Sequence, residues 1–444
     1  MIRPMEMHRH IYDDLLAWKE SADRKPLILL GARQVGKTYI LKKFGEKEYR
    51  NMVYINCHHN PFAESLFERD FDIQRIISSI SIYYKTKITP GETLLFFDEI
   101  QEVPNGVTSL KYFCEEARDI HVAVAGSLLG ITLRHNESYP VGKVNTLRMY
   151  PMTFSEFMLA SDEASLLQAI EREDWPLLEG FVPHLTDLLR QYCFVGGMPE
   201  VVVNYLTTND VYKTRSIQQE IIDSYMNDMS KHTATEAQRI HAVWRSIPSQ
   251  LAKENKKFVY KNIAPGARAR EYEMAIQWLV DAGLIYKIER TASPARPLKF
   301  YADSSAFKIY MNDCGLLAAM SETEPREMLL GDNLFREFKG AFTENYVLQQ
   351  LVPQRDLSVY YFSKEKSTQE IDFLVQSPLR IIPVEVKAEE NVKSKSLSTF
   401  VNADHKQLSL RGVRCSMKSY ADQGWMENIP LFAVESFFSR QART

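Results

Sequence analysis

The eight residues Gly31-Ala32-Arg33-Gln34-Val35-Gly36-Lys37-Thr38 have the types and spacing that cradle phosphate. Small residues let the backbone curl until its N–H groups converge on one anion. The helix-prone run that follows, Tyr39–Phe44, adds the positive end of its dipole. Lys37 is spaced to reach the β- and γ-phosphates, and Thr38 offers a hydroxyl to Mg²⁺. Together they imply a nucleoside triphosphate, with ATP and Mg²⁺ as the bound species. A second pair, Asp98-Glu99, closes the apolar run Thr93–Phe97. Asp98 suits the outer coordination of Mg²⁺, and Glu99 suits a base that polarises the attacking water. Ser127, reached through Gly126 from the run His121–Ala125, suits a sensor of the γ-phosphate or of that water.

Asp372, Glu385 and Lys387 form a third set. Glu370–Val375 alternates as a strand, Gln376–Arg380 reads as a turn, and Ile381–Lys387 reads as a second strand. A symmetric hairpin centred between Pro378 and Leu379 sets Asp372 opposite Glu385, about 4.5–5.5 Å apart at Cβ. Like charges so placed destabilise a sheet unless a cation lies between them, and Mg²⁺ held by one or two carboxylates meets that need. Lys387 shares the face of Glu385, where it is placed to position or deprotonate a water. Glu344, on the helix expected over Phe335 to Leu351, is a further acidic group. Pro383 marks an edge or a bulge. The bland alternative is a surface ladder, with Glu385 against Lys387 and Asp372 paired to Lys364 or Lys366.

The elements that must position these groups divide the chain into four parts. Residues 1–160 alternate apolar strands with helical patterns, which predicts a parallel sheet covered by helices on both faces. Its strands are Pro26–Leu30, Met52–Asn56, Thr93–Glu99 and His121–Ala125, the last placed between the first and third. Residues 161–245 read as amphipathic helices around the turn Gly196-Gly197, a helical lid. Residues 246–325 carry the winged-helix pattern, with a helix over 268–282 and a hairpin of Leu284–Ile288 with Leu298–Tyr301. Within 251–300, ten Lys/Arg stand against five Asp/Glu, an excess suited to DNA phosphate or else simply solvated on an adaptor. Residues 326–444 hold the third set.

Bulk properties bound the classes. At 444 residues the chain exceeds a single core, and 45% apolar with 25% charged residues is a globular balance. A net charge of −3 excludes a general polycation, so DNA contact requires a local patch. Five cysteines without CxxC spacing fit a reducing, cytoplasmic setting. No apolar run reaches the roughly 18 residues of a membrane span, and the first residues lack the apolar stretch of a signal peptide.

The motifs taken together resemble the AAA-type ATPase family that ends in a domain of unknown function, DUF4143. Gly31–Thr38 and Phe97-Asp98-Glu99-Ile100-Gln101 look like its ATP motifs, and Ala125-Gly126-Ser127 like its sensor. Pro151–Phe157, Gly196–Glu200 and Tyr310–Leu316 look like its internal markers. Where the family usually has Gly-Arg this chain has Gly142-Lys143, so Arg134 and Arg148 are alternative candidates for an arginine finger, and an oligomer remains open. Asp372, Glu385, Lys387 and Glu344 resemble the active site of the PD-(D/E)xK nuclease superfamily. That resemblance implies a C-terminal α/β domain like restriction endonucleases, with a second Mg²⁺ or Mn²⁺. The proline that often precedes the aspartate is absent here. Two functions follow: an ATP-hydrolysing machine that acts on DNA with a metal-dependent nuclease domain, or an ATP-gated module that recognises DNA or a protein without cutting.

Overall fold

The computed structural model describes residues 7–127, 129–130, 140–253, 256–330, 339–364, 369–388 and 394–443. The chain forms two compact units, His8–Tyr150 with Asp281–Gly283, and Pro151–Val280 with Leu284–Thr444. Among the described residues no helix is long and apolar enough to cross a membrane.

The first unit is built on β1 (Leu27–Leu30), β2 (Asn51–Asn56), β3 (Thr93–Asp98), β4 (His121–Ala125) and β5 (Asn145–Arg148). All pair in parallel in the order β2-β3-β4-β1-β5, which sets β4 between β1 and β3 as its sequence position implied. β3 and β4 are buried at every residue, the mark of central strands covered on both faces. One face packs Val53, Ile55, Leu95, Phe97, Val122 and Val124 against helices Pro61–Glu68, Ile73–Tyr83 and Gly106–Glu116. The helix Lys37–Glu48 packs against β2, β3 and β4, with Gly45 against Met52, which precedes Val53 and so points to the opposite face. β5 escaped the sequence pattern because Asn145-Thr146-Leu147-Arg148 is four residues long and only half-buried, an edge strand with little apolar signal.

The second unit opens with helices from Phe154 to Leu251 and continues into one eight-stranded mixed sheet. Its strands are β6 (Ile285–Thr291), β7 (Ala302–Met311), β8 (Ser358–Ser363), β9 (Glu370–Gln376), β10 (Ile381–Lys387), β11 (Gly412–Ser416), β12 (Ala421–Asp422) and β13 (Met426–Pro430). They lie in the order β12-β13-β11-β10-β9-β8-β6-β7. The expected hairpin near residue 290 exists, but Leu298–Tyr301 is a short 3₁₀ turn and the returning strand is Ala302–Met311. β6 also pairs in parallel with β8 through Arg290 and Thr291, so this hairpin is the edge of a larger sheet.

The internal markers meet in a buried knot. The Gly197 N–H donates to Asp313 Oδ2 at 2.6 Å, and the Leu316 N–H donates to Oδ1 at 2.9 Å. The Met152 N–H donates to the Gly197 carbonyl at 2.6 Å. A Cβ on Gly315 would lie 2.4 Å from the Val195 carbonyl oxygen, so only glycine admits this approach. These motifs are explained by packing and backbone satisfaction.

Candidate functional site

The parallel sheet brings the first set together at one edge. Asp98 is level with Ala125 and Asn56, and Leu30 with Arg148, so the phosphate loop, Asp98-Glu99 and Gly126-Ser127 all leave the carboxyl ends of their strands. That is where ligands collect in open α/β sheets. Gly31 sits at φ 150°, and a Cβ there would lie 2.3 Å from the Met149 carbonyl oxygen. The Met149 N–H in turn donates to Leu30, which ties β5 to the start of the loop.

Lys37 Nζ folds back over the loop, donating to the Gly31 carbonyl at 2.9 Å and the Ala32 carbonyl at 2.8 Å. Burial lowers its pKa to about 8, against the opposing charges of Glu99 and Asp98. Thr38 Oγ1 donates to Asp98 Oδ2 at 2.9 Å, and the Tyr54 hydroxyl donates to the same oxygen at 3.1 Å. Burial raises the Asp98 carboxyl while those two donors pull it back. Burial and the Asp98 carboxylate push Tyr54 up to about 12, so it remains a donor.

Glu99 leaves β3 at φ 54°, a left-handed turn uncommon for a residue with a side chain. Its Oε2 accepts the Ser127 N–H at 3.0 Å, the Ser127 hydroxyl at 3.1 Å and the Gln101 amide at 2.5 Å. Among the described residues no hydrogen bond reaches Oε1. Sequence reasoning missed three contributors. Arg9 is buried and donates to the Val35 carbonyl at 2.9 Å and the Tyr150 carbonyl at 2.6 Å, bracing the loop from behind. Tyr54 was passed over because it carries no spacing signal, and Gln101 was quoted within its motif without a role. Lys143 pairs with Glu115 at 2.8 Å, Arg148 ends β5, and Arg134 lies outside the described residues.

The second unit holds the third set. β9 and β10 pair Val384 with Phe373 and Ile381 with Gln376; carried one step further, this register sets Glu385 level with Asp372, as the symmetric hairpin required. Asp372 Oδ2 accepts the Val386 N–H at 2.8 Å, and Lys387 Nζ lies 3.3 Å from Glu385 Oε1. Lys364 pairs with Asp404 at 3.9 Å, while Lys366 lies outside the described residues. From β7, Lys308 enters fully buried, pairs with Glu370 and lies 4.0 Å from Glu344 Oε2. Lys256 pairs with Glu344 Oε1, and the Tyr310 hydroxyl donates to Oε2 at 2.9 Å. Burial works to raise Glu344, but the Lys256 and Lys308 ammoniums outweigh it and hold it below the usual carboxylate range. Burial and the Glu344 charge raise Asp372 to about 7. Among the described residues no three His, Cys, Asp or Glu side chains group as a metal-holding set.

Residues 23–158 match the family described as an AAA domain. Residues 186–327 match a domain of unknown function, DUF8612, and residues 339–433 match another, DUF4143. No curated protein matches the chain. Among solved structures, a Walker-type ATPase of Pyrococcus abyssi overlaps with TM-score 0.46 at 14% identity, over 72% of this chain and 99% of its own. The Aeropyrum pernix Orc1 protein, solved in complex with DNA, overlaps with TM-score 0.29 at 14% identity, over 74% of this chain and 96% of its own. Cdc6p from Pyrobaculum aerophilum overlaps with TM-score 0.28 at 13% identity, over 78% of this chain and 97% of its own. The stretch that matches the AAA domain thus includes the phosphate loop, the Asp98-Glu99 pair and Ser127, while the stretch that matches DUF4143 includes Glu344, Asp372, Glu385 and Lys387.

Proposed function

We propose that this chain is an ATP-hydrolysing switch whose second unit recognises DNA without cutting it. The observation that carries the reading is the Glu99 carboxylate, fixed through one oxygen by Ser127 and Gln101 at the strand edge that also holds Lys37, Thr38 and Asp98. The donors fit ATP with Mg²⁺: the loop N–H groups and Lys37 would hold the phosphates, and Thr38 and Asp98 would hold the metal, which offsets phosphate charge. Lys37 then exchanges two carbonyl acceptors for phosphate oxygens. Glu99 accepts a proton from water through Oε1 while Ser127 and Gln101 keep the carboxylate in position. Arg268 and Arg270, at the start of the helix ending at Asp281, lie in the cation-rich stretch that would meet DNA phosphate. A cytoplasmic setting and a nucleotide-dependent oligomer belong to the same proposal.

Glu99→Gln tests the chemistry: the variant is expected to bind ATP as tightly as wild type and to hydrolyse it about 10²–10⁴-fold more slowly. Undiminished turnover removes Glu99 from this role. The switch is tested by DNA affinity in the ATP and ADP states, because equal affinity in both leaves nothing to switch. A second reading, metal-dependent DNA cutting by Asp372, Glu385 and Lys387, is favoured by the register that sets the two acids level. It is tested by plasmid cleavage in Mg²⁺ or Mn²⁺, with Asp372→Ala as the control.

A further inference from the structure

The acidic centre of the second unit contains its own cations. Among the described residues, four carboxylates, Glu344, Glu370, Asp372 and Glu385, face three ammoniums, Lys256, Lys308 and Lys387, and the Arg414 guanidinium, level with Glu385 on β11, acts on that acid too. Lys308 is the central one. It is fully buried, pairs with Glu370, lies 4.0 Å from Glu344, and its charge also acts on Asp372. Its ammonium lies over the Tyr361 ring, 5.0 Å from the centroid. Acids and cations are equal in number among these residues. A divalent ion is held against its hydration by negative oxygens, and here the cations already present match the acids. Several lone pairs are committed too: Glu344 to Lys256 and Tyr310, and Asp372 Oδ2 to the Val386 N–H. Among the described residues Glu385 Oε2 and Asp372 Oδ1 accept no hydrogen bond, but two open oxygens in a charge-balanced cluster give a divalent ion little to set against its hydration.

We propose that Lys308 is the resident cation of this centre, filling the role a divalent ion plays between like-charged strand carboxylates, so that the domain folds and works without a metal. The cost of burying an ammonium is offset by its acids, and removing it leaves the acids uncompensated. This inference rests on the non-cleaving reading above and gives it a structural cause.

The test is Mn²⁺ titration of the full-length, nucleotide-free protein, followed by electron paramagnetic resonance and thermal melting. Wild type is expected to bind no Mn²⁺ that Asp372→Asn abolishes, and its melting temperature is expected not to move. Lys308→Met keeps the side-chain length without the charge; it is expected to melt lower and to regain a few degrees in a saturable, Mn²⁺-dependent manner. Adding Asp372→Asn to that variant is expected to erase the response. If Lys308→Met does not fold, the wild-type titration still decides, and Lys308→Arg is expected to fold and remain metal-indifferent. Wild-type Mn²⁺ binding that disappears in Asp372→Asn overturns the assignment, as does a folded Lys308→Met with no metal response. Such binding without DNA cleavage sinks the lysine assignment and leaves the non-cleaving reading standing, whereas cleavage lost in Asp372→Asn sinks both.

Discussion

Raising the pH from 7 to 9 discharges the lysine of the phosphate loop, and the consequence for ATP follows from its surroundings. Burial beneath the Gly31 and Ala32 carbonyls brings Lys37 from 10.5 to about 8. About nine-tenths of free protein therefore carries the ammonium at pH 7 and about one-tenth at pH 9. With Mg²⁺ bound, ATP carries no titrating proton over this range and binds the charged form, so its apparent Kd is expected to rise about tenfold. Binding at pH 8.5 is expected to take up about three-quarters of a proton. Calorimetry in two buffers of different ionisation heat reads both quantities. The sign for stability runs the other way. The folded value lies below the unfolded one, so the unfolded chain binds more protons between about 8 and 10.5. Burying the charge costs about 3 kcal/mol below pH 8, and that cost is relieved as the pH climbs through the folded value. Nucleotide-free protein is therefore expected to gain stability as its ATP affinity falls, and Lys37→Ala is expected to lose both trends. A Kd that changes less than twofold from pH 7 to 9, with no proton uptake, would refute the reasoning.

Arg9→Ala strips two charge-assisted hydrogen bonds from the Val35 and Tyr150 carbonyls. It is expected to lower the melting temperature and weaken ATP binding on the order of tenfold, measured by calorimetry. Tyr54→Phe removes one of two hydroxyl donors to Asp98 and leaves Thr38, so KM for Mg²⁺-ATP is expected to shift by about 2–10-fold in a steady-state assay. Asp313→Ala leaves the buried Gly197 and Leu316 N–H groups without an acceptor and is expected to cost about 2–6 kcal/mol in urea unfolding. Asp313→Asn keeps an acceptor oxygen and is expected to cost less.

The placement of the first site's residues at one sheet edge was legible because it is local. Gly31 to Thr38 is one continuous turn, Asp98-Glu99 and Ser127 end apolar strands, and a parallel sheet sends such strand ends to one edge. The hairpin of Asp372 and Glu385 was legible for a similar reason, since a two-strand register follows from where the turn is centred. Tertiary structure alone decided the rest. Arg9 reaches Val35 across 26 residues, and no spacing rule announces a side chain that braces a loop from behind. Leu298–Tyr301 looked like a strand, but the returning strand formed at Ala302–Met311, where Phe307, Ile309 and Met311 bury against the sheet. Sequence placed Asp372, Glu385 and Glu344 near one another and asked what cation lay between them. The answer was Lys308, whose arrival from β7 depends on an eight-stranded sheet that joins residues 285–311 to 358–430. Charge compensation over such a distance is a property of the assembled sheet, because no local pattern records which lysine a buried carboxylate will meet.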